Sequence, residues 1–164
     1  MAAIEVTVRR VGVVSTRSFD DVVGRLMTTI GRPDMQTFRR ALAAATTLAD
    51  IEQLVHGAIG SSGLMEFARF DAGEVLRKAS GGHGPKLVRL VVGNPLIMQE
   101  MAQCVPDAAS YAPTTILVGE RAGGVQLSYD TMASLLAPYG SERAAAVARD
   151  LDAKIESLLE AAAR

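Results

Sequence analysis

Few residues in this chain have the chemistry to act on a ligand, and they are scattered. Glu66 lies inside the apolar run LMEFARF at 64–70. On a regular strand, Leu64, Glu66, Ala68 and Phe70 share one face, and Met65, Phe67, Arg69 and Asp71 share the other. A carboxylate half-buried among apolar neighbours needs a cationic partner, or its proton affinity rises. Two readings follow. One is an ion pair with Arg69, Arg77 or Arg89; the other is a general acid or base in a pocket. The second candidate is the joint Gly93-Asn94-Pro95 in RLVVGNPLIMQEM. A strand running through Gly into a helix presents free amides and partial positive charge, which suits a small anion or polar head group. Against that, phosphate cradles use several glycines, Asn94 can cap the helix with its own side chain, and Pro95 has no N–H. The joint therefore reads first as a tight strand-to-helix turn, with Asn94 kept as a ligand-contact candidate.

The three tyrosines stand out in a chain with 4% aromatic residues and no Trp. Tyr111 opens one strand, Tyr129 ends another, and Tyr139 lies in LLAPYG. A tyrosine offers an apolar face and a polar tip, which serves pockets and interfaces alike. His56 and His83 lack the convergent spacing that a metal needs, so no metal site is assigned. Cys104 falls near the C-terminal end of a helix at 95–103, where the dipole disfavours a thiolate, and no motif sets a His beside it. Ser61, Ser62 and Ser128 lack a G-x-S-x-G elbow. Seven Met would suit an apolar planar cofactor such as haem, but Met27, Met98, Met101 and Met132 read better as gap fillers in an aliphatic core. No cofactor is assigned.

Composition limits the function classes. At 164 residues, 49% of them apolar, the chain has the material for one well-filled domain. Lys and Arg number 17 against 18 Asp and Glu, and no block of like charges forms, so the basic stripe expected of a nucleic-acid binder is missing. One Cys excludes an intramolecular disulfide and any multi-Cys metal site. The start MAAIEVTVRR has no apolar run between a basic segment and a cleavage site, and no stretch approaches a membrane span. The expectation is a cytoplasmic protein that binds neither nucleic acid nor membrane.

The elements that must position these residues follow from periodicity. Alternation predicts a strand over 4–16, with a bulge or bend near 10–12. Ser18 caps a helix that stops at Gly31, and Thr47 with Asp50 caps another, so 34–58 holds two short helices. A strand at 64–70, a helix at 72–79 and a near-continuous apolar strand at 86–93 come next, then the helix after Asn94. A loop at 104–113 leads to a strand at 114–120, a turn at Ala122-Gly123-Gly124, and a strand at 125–130. Ser141 caps a long final helix whose stripe is Val147, Leu151, Ile155, Leu158, Leu159 and Ala162. This order predicts a single α+β domain, with a mixed β-sheet packed against several helices and a long C-terminal helix.

The phrases GLMEFARFDAG, VVGNPLIM, YAPTTILV and LSYDTMASLLAPYG, in that order and spacing, resemble the domain of unknown function 302 family. The resemblance covers the chain from about Ile4 to the last helix. It implies a compact α+β fold with a mixed sheet and a homodimer, and it implies no reaction and no catalytic residues. Ala112 before Pro113 stands where the family is expected to carry a larger apolar residue, so a pocket there would be wider.

Three functional expectations result. The first is a homodimeric small-molecule-binding module with a modest apolar pocket, its polar points Glu66, Asn94, Tyr111 and Tyr129. The second is an enzyme of unknown reaction using Glu66 near the Asn94 turn. The third is a structural or partner-binding dimer, with the final helix supplying the apolar patch.

Overall fold

The computed structural model describes residues 3–164. Its five strands are β1 (Arg10–Ser15), β2 (Met65–Asp71), β3 (Leu87–Gly93), β4 (Thr114–Arg121) and β5 (Gly124–Asp130). They form one sheet in the order β1-β5-β4-β3-β2. Every neighbouring pair is antiparallel, so the sheet is not mixed as expected. Among the described residues the one parallel contact is an isolated bridge between Gly31 and Met65. The reason lies in the connections. A helix between strands suggested a crossover to a neighbouring parallel strand, but the connections from β2 to β3 and from β3 to β4 return to the sheet end they left. The one from β1 to β2 runs to the opposite end, but those strands lie at the two edges and do not pair. Asp71 pairs with Val88 on either side of one such connection, and Val92 pairs with Thr114 across the next.

The helices are α1 (Phe19–Thr29), α2 (Met35–Ala44), α3 (Leu48–Ala58), α4 (Ala72–Ala79), α5 (Pro95–Ala102), α6 (Ala108–Tyr111), α7 (Met132–Leu136) and α8 (Glu142–Ala163), with a short 3-10 turn at Ala137–Tyr139. The caps read from sequence are made. The Ser18 hydroxyl accepts from the Asp21 amide at 3.2 Å, and that of Ser141 from the Ala144 amide at 3.3 Å. Thr47 and Asp50 form a reciprocal capping box. With these acceptors in place, first-turn amides are satisfied and the apolar stripes of α1 and α8 keep their rotation toward the sheet.

Period-two alternation divides the sheet. Leu90, Val92, Ile116, Val118, Leu127 and Tyr129 point into a core closed by α1 and α8. From α8, Leu151, Ile155, Leu158, Leu159 and Ala162 are buried there. The stripe predicted for the final helix is thus core, and offers no exposed patch to a partner. Arg89, Thr115, Leu117, Ser128 and Asp130 alternate with core residues and face the other way. Met65 pairs with Gly93, on the side opposite Val92, and joins Phe38 of α2 and Val55 of α3 in a small second cluster. That cluster covers only one end of the outer face.

Two strands depart from expectation. β1 begins at Arg10, because β5 ends at Asp130, the partner of Arg10, and offers no further ladder to residues 4–9. Residue 9 ties to the next turn instead: the Thr131 amide donates to the Arg9 carbonyl at 2.9 Å, and the Arg9 amide to Ser134 Oγ at 3.0 Å. The bulge expected near 10–12 is absent from this uninterrupted register. A bulge occurs in β2 instead, where register shifts between Glu66 and Ala68. Phe67 is the extra residue, and beyond it every face assigned from a regular strand is reversed.

If α8 closes the core, a charge on its stripe will not simply free a monomer. Ile155→Asp places a carboxylate at a fully buried position, and should cost roughly 4 kcal/mol or more. Urea unfolding followed by circular dichroism checks this. A folded, soluble variant of near wild-type stability would contradict it.

Candidate functional site

The four residues singled out from sequence do not converge. Asn94 caps α5: its Oδ1 accepts from the Leu96 amide at 2.9 Å, and its Nδ2 donates to the Gly63 carbonyl at 3.0 Å. Both ends of the amide are committed, and Pro95 supplies no N–H. Gly93 is needed for close approach, since a Cβ there would lie 3.1 Å from Pro113 Cβ. The joint is a tight strand-to-helix turn. Asn94 also borders a small cavity of about 160 Å³ lined by Phe38, Leu42, Phe67, Met98 and Ala112 among others. Ala112 is the small residue expected to widen a pocket, and it does line this one.

Glu66 is held by Arg69, with Oε2 and Nη2 2.7 Å apart. On a regular strand, positions three apart face opposite ways; the bulge at Phe67 brings this pair onto one face. Glu66 does not pair with Arg77 or Arg89. Arg77 goes to Asp71 at 2.8 Å. Tyr129 is 1% exposed, and its hydroxyl donates to Asp152 Oδ1 at 2.7 Å inside the core. Burial, with the Asp152 charge beside it, pushes the Tyr129 phenol well above its ordinary range. Tyr111 ends the short α6 rather than opening a strand. Its hydroxyl lies 3.0 Å from that of Tyr139, and the rings meet edge to face. That hydrogen bond, ahead of burial, pushes the Tyr139 phenol up to about 12.

Larger concavities remain: two lie along α2 and α3, of about 580 and 370 Å³, and two touch the sheet. One of the latter, of about 630 Å³, lies beside α4 and is rich in charge. Its cations are paired: Arg69 with Glu66, Arg77 with Asp71, and Lys86 with Asp20 at 2.6 Å. The other, of about 360 Å³, opens on the outer face of the sheet. Arg89 and Leu117 come from the middle of β3 and β4, Thr115 and Asp130 from the ends of β4 and β5 nearer α6, Arg10 from β1, and Tyr111 and Leu135 from α6 and α7. Tyr129 is among its lining residues. Arg10 and Asp130 form a bidentate pair, Nε to Oδ1 at 2.6 Å and Nη2 to Oδ2 at 2.8 Å. The shared hydrogen bonds hold Asp130 below the usual carboxylate range and raise Arg10. Arg89 has no such partner among the described residues. It reaches only Thr115 Oγ1, at 3.3 and 3.4 Å, long for an N–H donor.

Arg89 and Asp152 were not chosen from sequence. Arg89 was legible: a charge between Val88 and Leu90 must point away from the core those residues enter. Asp152 falls at helical spacing between Ala148 and Ile155, on the core face. His56 is exposed on α3, and His83 lies in the loop where the Ser80 hydroxyl donates to its carbonyl. Among the described residues, no group of three or more His, Cys, Asp or Glu is placed to hold a metal ion. Cys104 is a free, half-buried thiol. No described helix is long and apolar enough to cross a membrane.

An antiparallel five-stranded sheet packed against several helices defines an α+β domain. The chain belongs to the family described as Domain of unknown function DUF302, whose model matches residues 39–162. It is similar to the crystal structure of an uncharacterized conserved protein DUF302 from Bacillus stearothermophilus, with a TM-score of 0.65 at 13% identity, over 94% of this chain and 98% of that one. At that identity the likeness speaks to fold alone. No curated protein matches the chain.

The Arg10–Asp130 pair at the cavity mouth makes stability depend on pH with a defined sign. Folding lowers the Asp130 carboxyl, so the unfolded chain binds more protons. Its stabilisation is complete above about pH 4 and is lost as pH falls through the depressed folded value. Asp130→Asn should therefore lose less stability than wild type between about pH 5 and pH 3, as read from urea midpoints. Equal losses in both proteins would show that the pair contributes nothing in acid.

Proposed function

We propose that the chain is a non-enzymatic module that binds a small molecule in the cavity on the outer face of its sheet. The observation that carries this is a concavity of about 360 Å³ in which apolar Leu117 and Leu135 meet a few polar groups. Ligand sites occupy about 300–1,000 Å³ and are mostly apolar with a few convergent polar groups. Of the four residues chosen from sequence, Tyr111 faces the ligand. Tyr129 supports the wall, while Asn94 and Glu66 serve the scaffold through the contacts they already make. An enzyme built on Glu66 gains no support, because its carboxylate is turned to Arg69. We place the module in the cytoplasm, in keeping with its charge balance.

Native mass spectrometry of the freshly purified chain, beside a denatured sample, tests the reading. The expected result is a non-covalent mass increment that disappears in Leu117→Trp, where the larger ring fills the cavity. Leu117 is only half-buried, so this variant should fold. An increment retained in that variant would move the ligand elsewhere and overturn the reading.

A second proposal, homodimerisation, rests on a different surface. Phe70 at the sheet edge and Val75 and Leu76 on α4, close in sequence, are 53%, 70% and 46% exposed. Beside them, Ala68–Asp71 has a ladder on one side only among the described residues. A second β2 running antiparallel about a two-fold axis would pair that edge and cover the apolar corner together. Sedimentation velocity should show a dimer for wild type and a monomer for Val75→Asp. A dimer in both, or a monomer in both, would count against this face.

A further inference from the structure

Resting on the cavity reading above, we infer that the ligand is a small organic monocarboxylate. Its carboxylate is held by Arg89, and its apolar body lies across Leu117 toward Tyr111 and Leu135. Arg89 stands midway along β3, one strand in from the edge, with Phe70 and Leu117 as its cross-strand neighbours on either side. Its guanidinium lies 5.9 Å from the Phe70 ring centroid, and its N–H groups lean toward Thr115, which places them in the cavity. Ring and hydroxyl orient the planar fork but leave most of its donors without an acceptor. A guanidinium is built to grip a carboxylate with two parallel bonds.

Charge selects the class further. The cavity holds two guanidinium groups, Arg10 and Arg89, and one carboxylate, Asp130, a net of one positive charge. The Arg10–Asp130 pair is closed on itself by two short bonds, so the free charge belongs to Arg89. A monoanion neutralises it. A dianion such as a phosphate monoester would set surplus negative charge near Asp130, and a neutral apolar ligand would strip water from Arg89 without replacing those bonds. Ser128 lies directly across from Leu117 and makes no side-chain hydrogen bond among the described residues, so its hydroxyl can meet a polar substituent on the ligand body.

The probes are benzoate, benzamide and phenyl phosphate, titrated into the full chain and followed by amide chemical shifts. Benzoate should saturate, with shifts at Arg89, Thr115, Leu117 and Asp130, and should bind at least about tenfold tighter than benzamide. Arg89→Gln, an exposed position that the fold tolerates, should remove that advantage. Equal binding of benzoate and benzamide, both lost in Leu117→Trp, would overturn the carboxylate inference and leave the cavity reading standing. Tighter binding of phenyl phosphate than benzoate would overturn it as well. Failure of all three probes to shift these amides, with a co-purified mass increment unchanged in Leu117→Trp, would overturn both.

Discussion

A single buried carboxylate joins the parts on which the outer cavity depends. Asp152 of α8 is 6% exposed and accepts from the Tyr129 hydroxyl, from the Met132 amide at 2.7 Å and from the Ala133 amide at 3.0 Å. Thr131, the residue that begins α7, makes no side-chain cap of its own. Asp152 supplies that cap from across the core, setting a full negative charge against the positive end of a short helix. A charge in this position is tolerable only with donors on both oxygens, and it has them. The consequence is positional. Tyr129 is pinned in β5, α7 is pinned to α8, and Leu135 of α7 is thereby held beside Asp130, so two walls of the cavity are set by one residue lying behind them.

The sheet is closed on one face only, and that asymmetry decides where a ligand can go. Helices α1 and α8 fill most of the inner face with aliphatic side chains, and the concavity left beside α4 is lined by charges already paired. The outer face must then meet water, as an antiparallel sheet can. A purely solvated face would be polar at each alternate position. Here Leu117 sits between Arg89 and Ser128 across the strands, and α6 and α7 rise at one end to make a wall. Apolar floor, polar edges and a wall on one side are what separate a concavity from a plain solvated surface.

Much of the architecture was legible because it rests on local rules. Ser18, Thr47, Asn94 and Ser141 mark helix starts by chemistry confined to a single turn. The stripe of α8 is long enough for its period to be unmistakable, though whether it meets a sheet or a partner is not a local property. Strand direction is also non-local, and both helical connections folded back where a crossover seemed natural. The bulge at Phe67 has no signature in LMEFARF, yet it reversed the faces on which the reading of Glu66 depended. Helices α6 and α7, of four and five residues, are too short for a period to show. They carry Tyr111 and Leu135, so part of the cavity wall lay in a segment read as a loop, 104–113, and in one given no element, 131–140.

The contrast between Asn94 and Arg89 shows why a site is better sought in unspent bonding capacity than in motif. The Gly93-Asn94-Pro95 joint has the outward form of an anion site: strand, glycine, helix start. The groups that would greet an anion there are largely spent, the Asn94 carboxamide on both sides and the Leu96 amide by Asn94 itself, while Pro95 has nothing to give. The acidic and basic groups beside α4 are likewise matched pair by pair. Arg89 belongs to no motif, yet its donors exceed its acceptors. In water that excess costs little. Once an apolar body covers Leu117 and displaces the water, only an anion restores the lost bonds, so the apolar floor and the unpaired guanidinium select together what neither selects alone.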